Sequence, residues 1–323
     1  MIFPRKGLLG QITTSSALIG WTLFAGCAST KVVEAPALPT HDLLRGLELF
    51  DGTTGDSATW TELEKRVDEA DVVIIGELHA HPLGLPYAAL LYEGSLERHE
   101  NTALSLEFVT RDRQFALDAY VAGIIDWEGL GKTMRGSRGC DVNDHKQMIV
   151  ASKDAGRPVY AANAPRIYTT AARKLGYEAL VDLSPEQQRM FDIPAKLPSE
   201  AYQQRFFEFM NGGHDGDEGG ESEVVEPTEA MRSVFRSQAL WDGTMSSSTA
   251  RAIRDGNKPV FLVVGQFHCD TNGGTLELLR RKQPNANILV ISVSDTWSET
   301  LRKEDEGRAD FIVYVGPFPE RDE

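Results

Sequence analysis

The sequence predicts an α/β fold: a Rossmann-like, mainly parallel sheet with helices on both faces and a helical insertion that caps it. Three observations carry that expectation. Short apolar runs rich in β-branched residues recur along the chain without the in–out alternation of a half-exposed strand. Segments with helical spacing separate them, and residues 164–256 carry helical patterns only. A parallel sheet covered on both sides, with right-handed crossovers, is the arrangement that buries both faces of such strands.

Taken in order, DVVIIG (71–76) is the first such strand, ending on glycine. LPYAALLYEGSLERH (85–99) follows as a helix, with Leu90, Leu91 and Leu96 at helical spacing. TALSLEF (102–108) is the second strand. DRQFALDAYVAG (112–123) and DHKQMIVASKDAG (144–156) are helices closed by glycine, and RPVYAAN (157–163) is the third strand. Beyond the insertion come KPVFLVVG (258–265) and NILVISV (287–293), joined by the helical LELLRRK (276–282), and then DFIVYVG (310–316). Inside the insertion, Ser184-Pro185-Glu186-Gln187 has the form of a capping box with proline in the first turn, and a long helix is expected from about Thr228 to Ile253. Between them Asn211 to Pro227 is rich in glycine and acid. It lacks the alternation and terminal glutamate of a calcium loop and reads as a solvated acidic loop.

Of the 323 residues 41% are hydrophobic, enough for a substantial core. Lys and Arg number 33 against 48 Asp and Glu, a formal net charge of -15 with no Lys/Arg cluster along the chain, which argues against a nucleic-acid partner. Residues 1–26 read as an export signal: Arg5 and Lys6 precede an apolar stretch, Ala17 to Gly26, too short to span a bilayer. Phe24-Ala25-Gly26-Cys27 is similar to a bacterial lipobox, in which Cys27 would carry the lipid; a plain secretory signal cleaved nearby is the alternative. Ala28 after it, where Asp is absent, resembles lipoproteins of the Gram-negative outer membrane, with the protein facing the periplasm. Residues 27–60 are then a lipidated cysteine, a tether (Ser29 to Pro39) and a lead-in to a domain at 61–323, whose helical subdomain spans about 166–256. Cys140 and Cys269 could pair in an oxidising compartment or stay as two thiols.

Polar residues fall where the expected strands end. The first gives Gly76-Glu77-Leu78-His79, the second Glu107, the third Asn163-Ala164-Pro165-Arg166, and the fourth Gly265-Gln266-Phe267-His268. In a parallel sheet these carboxyl ends share one edge, where open α/β sheets bind ligands. Buried carboxylates are costly unless paired, so His79, His268 and Arg166 are natural partners for Glu77 and Glu107. Two chemistries fit. A carboxylate-paired imidazole can act as a general base, making Glu77, His79, Glu107 and His268 candidate catalytic residues of a hydrolase. The same four could instead hold a divalent ion such as zinc, manganese or cobalt, with a position left for water.

Gly-Glu-x-His at a first strand, Glu at a second and Gly-x-x-His at a late one resemble the superfamily of ChaN-type haem-binding lipoproteins, Tiki-type proteases and erythromycin esterases. Arg111-Asp112-Arg113-Gln114, Asn163-Ala164-Pro165-Arg166, Gln238 to Met245 (QALWDGTM) and Asp310 to Tyr314 (DFIVY) are similar to the ChaN branch. The resemblance covers nearly everything from Asp71 to Val315. It implies a Rossmann-like fold with a helical subdomain, a lipid anchor, a haem pocket at the carboxyl edge, a role in haem and iron uptake, and a homodimer enclosing a stacked haem pair. Cofactor-binding candidates are then His79, His145 or His268 for the iron, Arg111 or Arg166 for the propionates, and Asn163, Trp241 and Phe235 around the ring. The chain departs from the family at Ala80-His81, where Asp or Asn is usual after the first His. It departs again at His145, which stands where a tyrosine is expected.

Overall fold

The computed structural model describes residues 39–135, 142–212 and 225–319, which belong to one compact unit. Cys27, Cys140 and most of the acidic loop fall outside them, and Cys269 is a free, buried thiol. The described residues form a seven-stranded sheet of β1 (Glu48–Asp51), β2 (Val72–Glu77), β3 (Ala103–Thr110), β4 (Val159–Asn163), β5 (Val260–Gly265), β6 (Ile288–Ser294) and β7 (Phe311–Tyr314). Their order across the sheet is β1-β7-β6-β2-β5-β3-β4, and every pair is parallel except β1 with β7. The six strands expected from the sequence are all present. β1 is additional: four residues of the lead-in, preceded by α1 (His41–Arg45), add an antiparallel edge to the sheet.

Strand alternation sorts the helices into two layers. Val73, Ile75, Leu104, Leu106, Phe261, Val263 and Ile291 point to the layer of α1, α2 (Trp60–Glu69), α3 (Gly84–Arg98), α4 (Gln114–Val121), α5 (Trp127–Met134) and α6 (Lys146–Asp154). Val72, Ile74, Leu262, Val264 and Val290 point the other way. There lie α7 (Arg166–Leu175), α8 (Glu178–Val181), α9 (Pro185–Gln188), α10 (Glu200–Met210), α11 (Glu229–Arg254) and α12 (Gly274–Lys282), most of them in the insertion that was expected to cap the sheet. The capping box at Ser184 and Gln187 forms but holds only a single-turn helix.

The insertion is organised by α11, a 26-residue helix capped by Thr228. Its small residues let it lie close to its neighbours: a Cβ at Gly243 would come within 2.4 Å of the Asp192 carbonyl oxygen. A second aromatic core of Tyr202, Phe206, Phe207 and Phe235 joins α10 to α11. Phe235 is therefore spent on cap packing and lines no ligand surface. No helix among the described residues is long and apolar enough to cross a membrane.

Candidate functional site

The central strands β2 and β5 pair in register to their ends, so Glu77 lies beside Gly265. Glu77 follows Ile75 toward the α6 layer and is 3% exposed. Its two oxygens serve two imidazoles: Oε1 takes His79 Nδ1 at 3.0 Å and Oε2 takes His145 Nε2 at 2.7 Å. Burial alone would raise the Glu77 pKa, but these two hydrogen bonds and the charge of both rings hold it below the usual carboxylate range. The partners differ sharply in access, since the His79 side chain is 61% exposed and that of His145 only 2%. Phe108, one residue past Glu107, lies between them, stacked on His145 at 4.6 Å and edge-on to His79 at 4.9 Å. The hydrogen bond to Glu77 raises the His79 pKa, assisted by the nearby charge of Glu107. His79 Nε2 has no hydrogen-bond partner among the described residues.

Glu107 faces the opposite, cap side of the sheet. Oε2 accepts the Gly265 backbone N–H at 2.6 Å, and Oε1 lies 3.6 Å from His268 Nε2. A side chain at position 265 would crowd this junction, because a Cβ there would stand 2.9 Å from His79 Cε1. The other nitrogen of His268 meets Asp242 Oδ1 at 2.6 Å, and Asp242, with no exposure, also accepts from Tyr202 and Thr275. Gly274 permits that packing, since a Cβ there would sit 2.3 Å from Asp242 Oδ2. Burial would lower the His268 pKa, yet the charges of Asp242 and Glu107 overcome it and raise the value to about 9. Both carboxylates thus favour the protonated ring.

The remaining predicted residues divide. Asn163, Arg166 and Trp241 join Glu107, Phe108 and His268 around a crevice of about 170 Å³ at the sheet's carboxyl edge. Asn163 is turned on itself, its Oδ1 accepting the Ala164 N–H. Arg166 is exposed, and its guanidinium has no partner among the described residues. Arg111 is not in the crevice. Its guanidinium bonds Ser248, the carbonyls of Arg189 and Thr244, and the carboxylate of Asp192, fastening the cap to β3. His145 has no accessible nitrogen: Nε2 is on Glu77, and Nδ1 is buried without a hydrogen-bond partner. His81, one of the departures, is buried and structural, bonding the Gly316 carbonyl and accepting the Leu83 and Gly84 N–H groups.

The four residues proposed as catalytic or metal-binding form two pairs, Glu77 with His79 and Glu107 with His268, that approach each other at Gly265, where a Cβ would stand 2.9 Å from His79 Cε1 and 3.6 Å from Glu107 Oε2. Among the described residues no group of three or more His, Cys, Asp or Glu side chains is placed to hold a metal ion. The sequence reading missed Asp242 and Phe108. Asp242 lies within the QALWDGTM stretch, so a signal was present, but nothing in a helix interior marks one acid as the partner of a distant histidine.

A half-exposed imidazole backed by a buried carboxylate therefore lies beside a small crevice at the carboxyl edge of an α/β sheet. The chain belongs to the family described as haem-binding uptake, Tiki superfamily, ChaN, whose model matches residues 63–279. Among solved structures it is similar to ChaN of Campylobacter jejuni, described as a case of cofacial haem binding, with 16% identity over 83% of this chain and 96% of that one and a TM-score of 0.61. It is also similar to the type III effector HopBA1 (13% identity, 85% and 98% covered, TM-score 0.42) and to an erythromycin esterase (11%, 84% and 83%, TM-score 0.42). No match was found among curated protein sequences.

Proposed function

We propose that this protein is a lipid-anchored haem-binding protein of haem and iron uptake, held at the outer membrane and facing the periplasm. Its pocket is at the carboxyl edge of the sheet, and His79 is the iron ligand. The observation that carries the reading is His79 itself, whose ring is exposed while Nδ1 rests on a buried carboxylate. That pairing leaves Nε2 without a hydrogen-bond partner among the described residues and makes it a stronger donor, as partners of metal-bound imidazoles do. Arg166, whose guanidinium has no partner among the described residues, supplies positive charge for propionates. Apolar surface for the ring comes from Phe108 and Trp241, which line the crevice. An exposed iron ligand leaves one haem face open, and a second copy of the chain stacked on that face would cover it, as the cofacial arrangement of the Campylobacter jejuni protein suggests.

A hydrolase using the same residues is less well supported. His268 would have to be neutral to act as a base, and its two carboxylates favour the charged form at neutral pH. The test is a haemin titration of the full-length chain followed by the Soret band. Saturation at a fixed stoichiometry is expected, and a response no larger than that of an unrelated acidic protein would defeat the reading.

A further inference from the structure

Arg166 and Trp241 belong to two cavities at once. Besides the crevice, they line a groove of about 700 Å³ between α7 and α11, so the two spaces adjoin at these side chains. The groove is the reverse of the molecule's overall charge. Arg166, Arg173, Lys174 and Arg236 line it, against the single carboxylate of Glu229, in a chain of formal charge -15. Arg236 is already engaged with Glu229 and with the Ala172 and Arg173 carbonyls. The other three cations have no side-chain partner among the described residues. Arg166 also opens α7, a ten-residue helix whose first-turn N–H groups receive no side-chain cap.

Three of these cations sit on α7 and the fourth on α11, and they share one groove because α7 runs along α11. Collecting like charges without a counter-charge is unfavourable, and such a concentration in an acidic protein focuses potential that attracts anions.

We propose that the α7–α11 groove is an anion subsite that receives an acidic group of the ligand whose other end occupies the crevice. The ligand class is an organic anion with carboxylate or phosphate groups on an apolar body that passes over Trp241. Its identification with the propionate side of haem rests on the function proposed above, whereas the charge of the groove does not.

The test uses the full-length chain and the double variant Arg173→Gln/Lys174→Gln, whose changes lie on exposed side chains. Haemin and haemin dimethyl ester, which keeps the iron and loses both acids, are titrated at low and high salt. The variant is expected to weaken haemin binding about three- to tenfold at low salt, less at high salt, and to leave the ester unaffected. Unchanged haemin affinity, or an equal loss for the ester, would overturn the proposal. Should the unaltered chain bind no haemin, the haem reading fails and inorganic pyrophosphate decides the groove by calorimetry. Binding that the double variant loses upholds the anion subsite, and no binding to the unaltered chain refutes it.

Discussion

Two buried carboxylates, Glu77 and Asp242, hold histidines at the same sheet edge, with opposite consequences. Asp242 holds His268 in a closed setting: the ring is buried, both its nitrogens face carboxylates, and Tyr202 and Thr275 complete the shell. Glu77 divides itself between a buried ring, His145, and an exposed one, His79. The first arrangement fixes a charge and the second presents a nitrogen. The number of imidazoles on each carboxylate, and their access to solvent, separate the two arrangements.

Removing Asp242 should have the largest effect on the fold. Asp242→Ala leaves a buried imidazolium and two hydroxyl donors unmatched, and about 3–5 kcal/mol of stability should be lost in urea unfolding. His79→Ala, which leaves one oxygen of buried Glu77 without its partner, should by contrast cost less, about 1–3 kcal/mol, while haemin affinity collapses. Equal destabilisation by both would erase the distinction between the clusters.

Next comes Glu77→Gln, which keeps the shape and removes the charge shared by both rings. A loss of about 1–3 kcal/mol is expected, as for hydrogen bonds to a charged group. The His79 pKa, read by NMR, should fall toward its ordinary value because the bond that raises it is weakened. A pKa that stays raised would shift the cause to Glu107.

pH separates the clusters again. The folded His268 pKa of about 9 exceeds the ordinary value of 6.5, so the stability it contributes is complete below about 6.5 and lost as pH rises through 9. Unfolding free energy should decline across that window in the parent and less in His268→Gln. Haemin affinity should move the other way at the lower end. A proton on His79 Nε2 competes with iron, so binding weakens as pH falls through the raised His79 pKa.

The smallest effect concerns Ala80, whose φ of 57° places a residue with a Cβ in the left-handed region directly after His79. Ala80→Gly removes that strain against a gain in unfolded-state entropy, and a net change within about 1 kcal/mol, on the stabilising side, is expected. A larger loss would mean that the alanine methyl group holds the loop.

How much of this was legible in the sequence follows from the same physics. β2, β5 and β6 are apolar on both faces and bounded by turn residues, so their identity and the shared edge could be read directly. β1 could not, because ELFD has neither length nor an uninterrupted apolar run, and its pairing with β7 is set by contacts 260 to 266 residues away. Glu77 and His79 were visible because a carboxylate and an imidazole follow a buried strand. His145 was visible as a histidine, but its burial was not. It depends on Phe108 and Glu77 closing over it, which no local pattern records. Arg111 misled for a similar reason: two of its acceptors are backbone carbonyls of the cap, invisible as side-chain types.

The most direct test of the central claim is a parallel haemin titration of His79→Ala and His145→Phe. If Glu77 presents His79 to iron, the first variant loses saturable binding and the imidazole-ligated Soret band, while the second retains both. Binding that survives His79→Ala and vanishes in His145→Phe would contradict the account and make the buried ring the ligand.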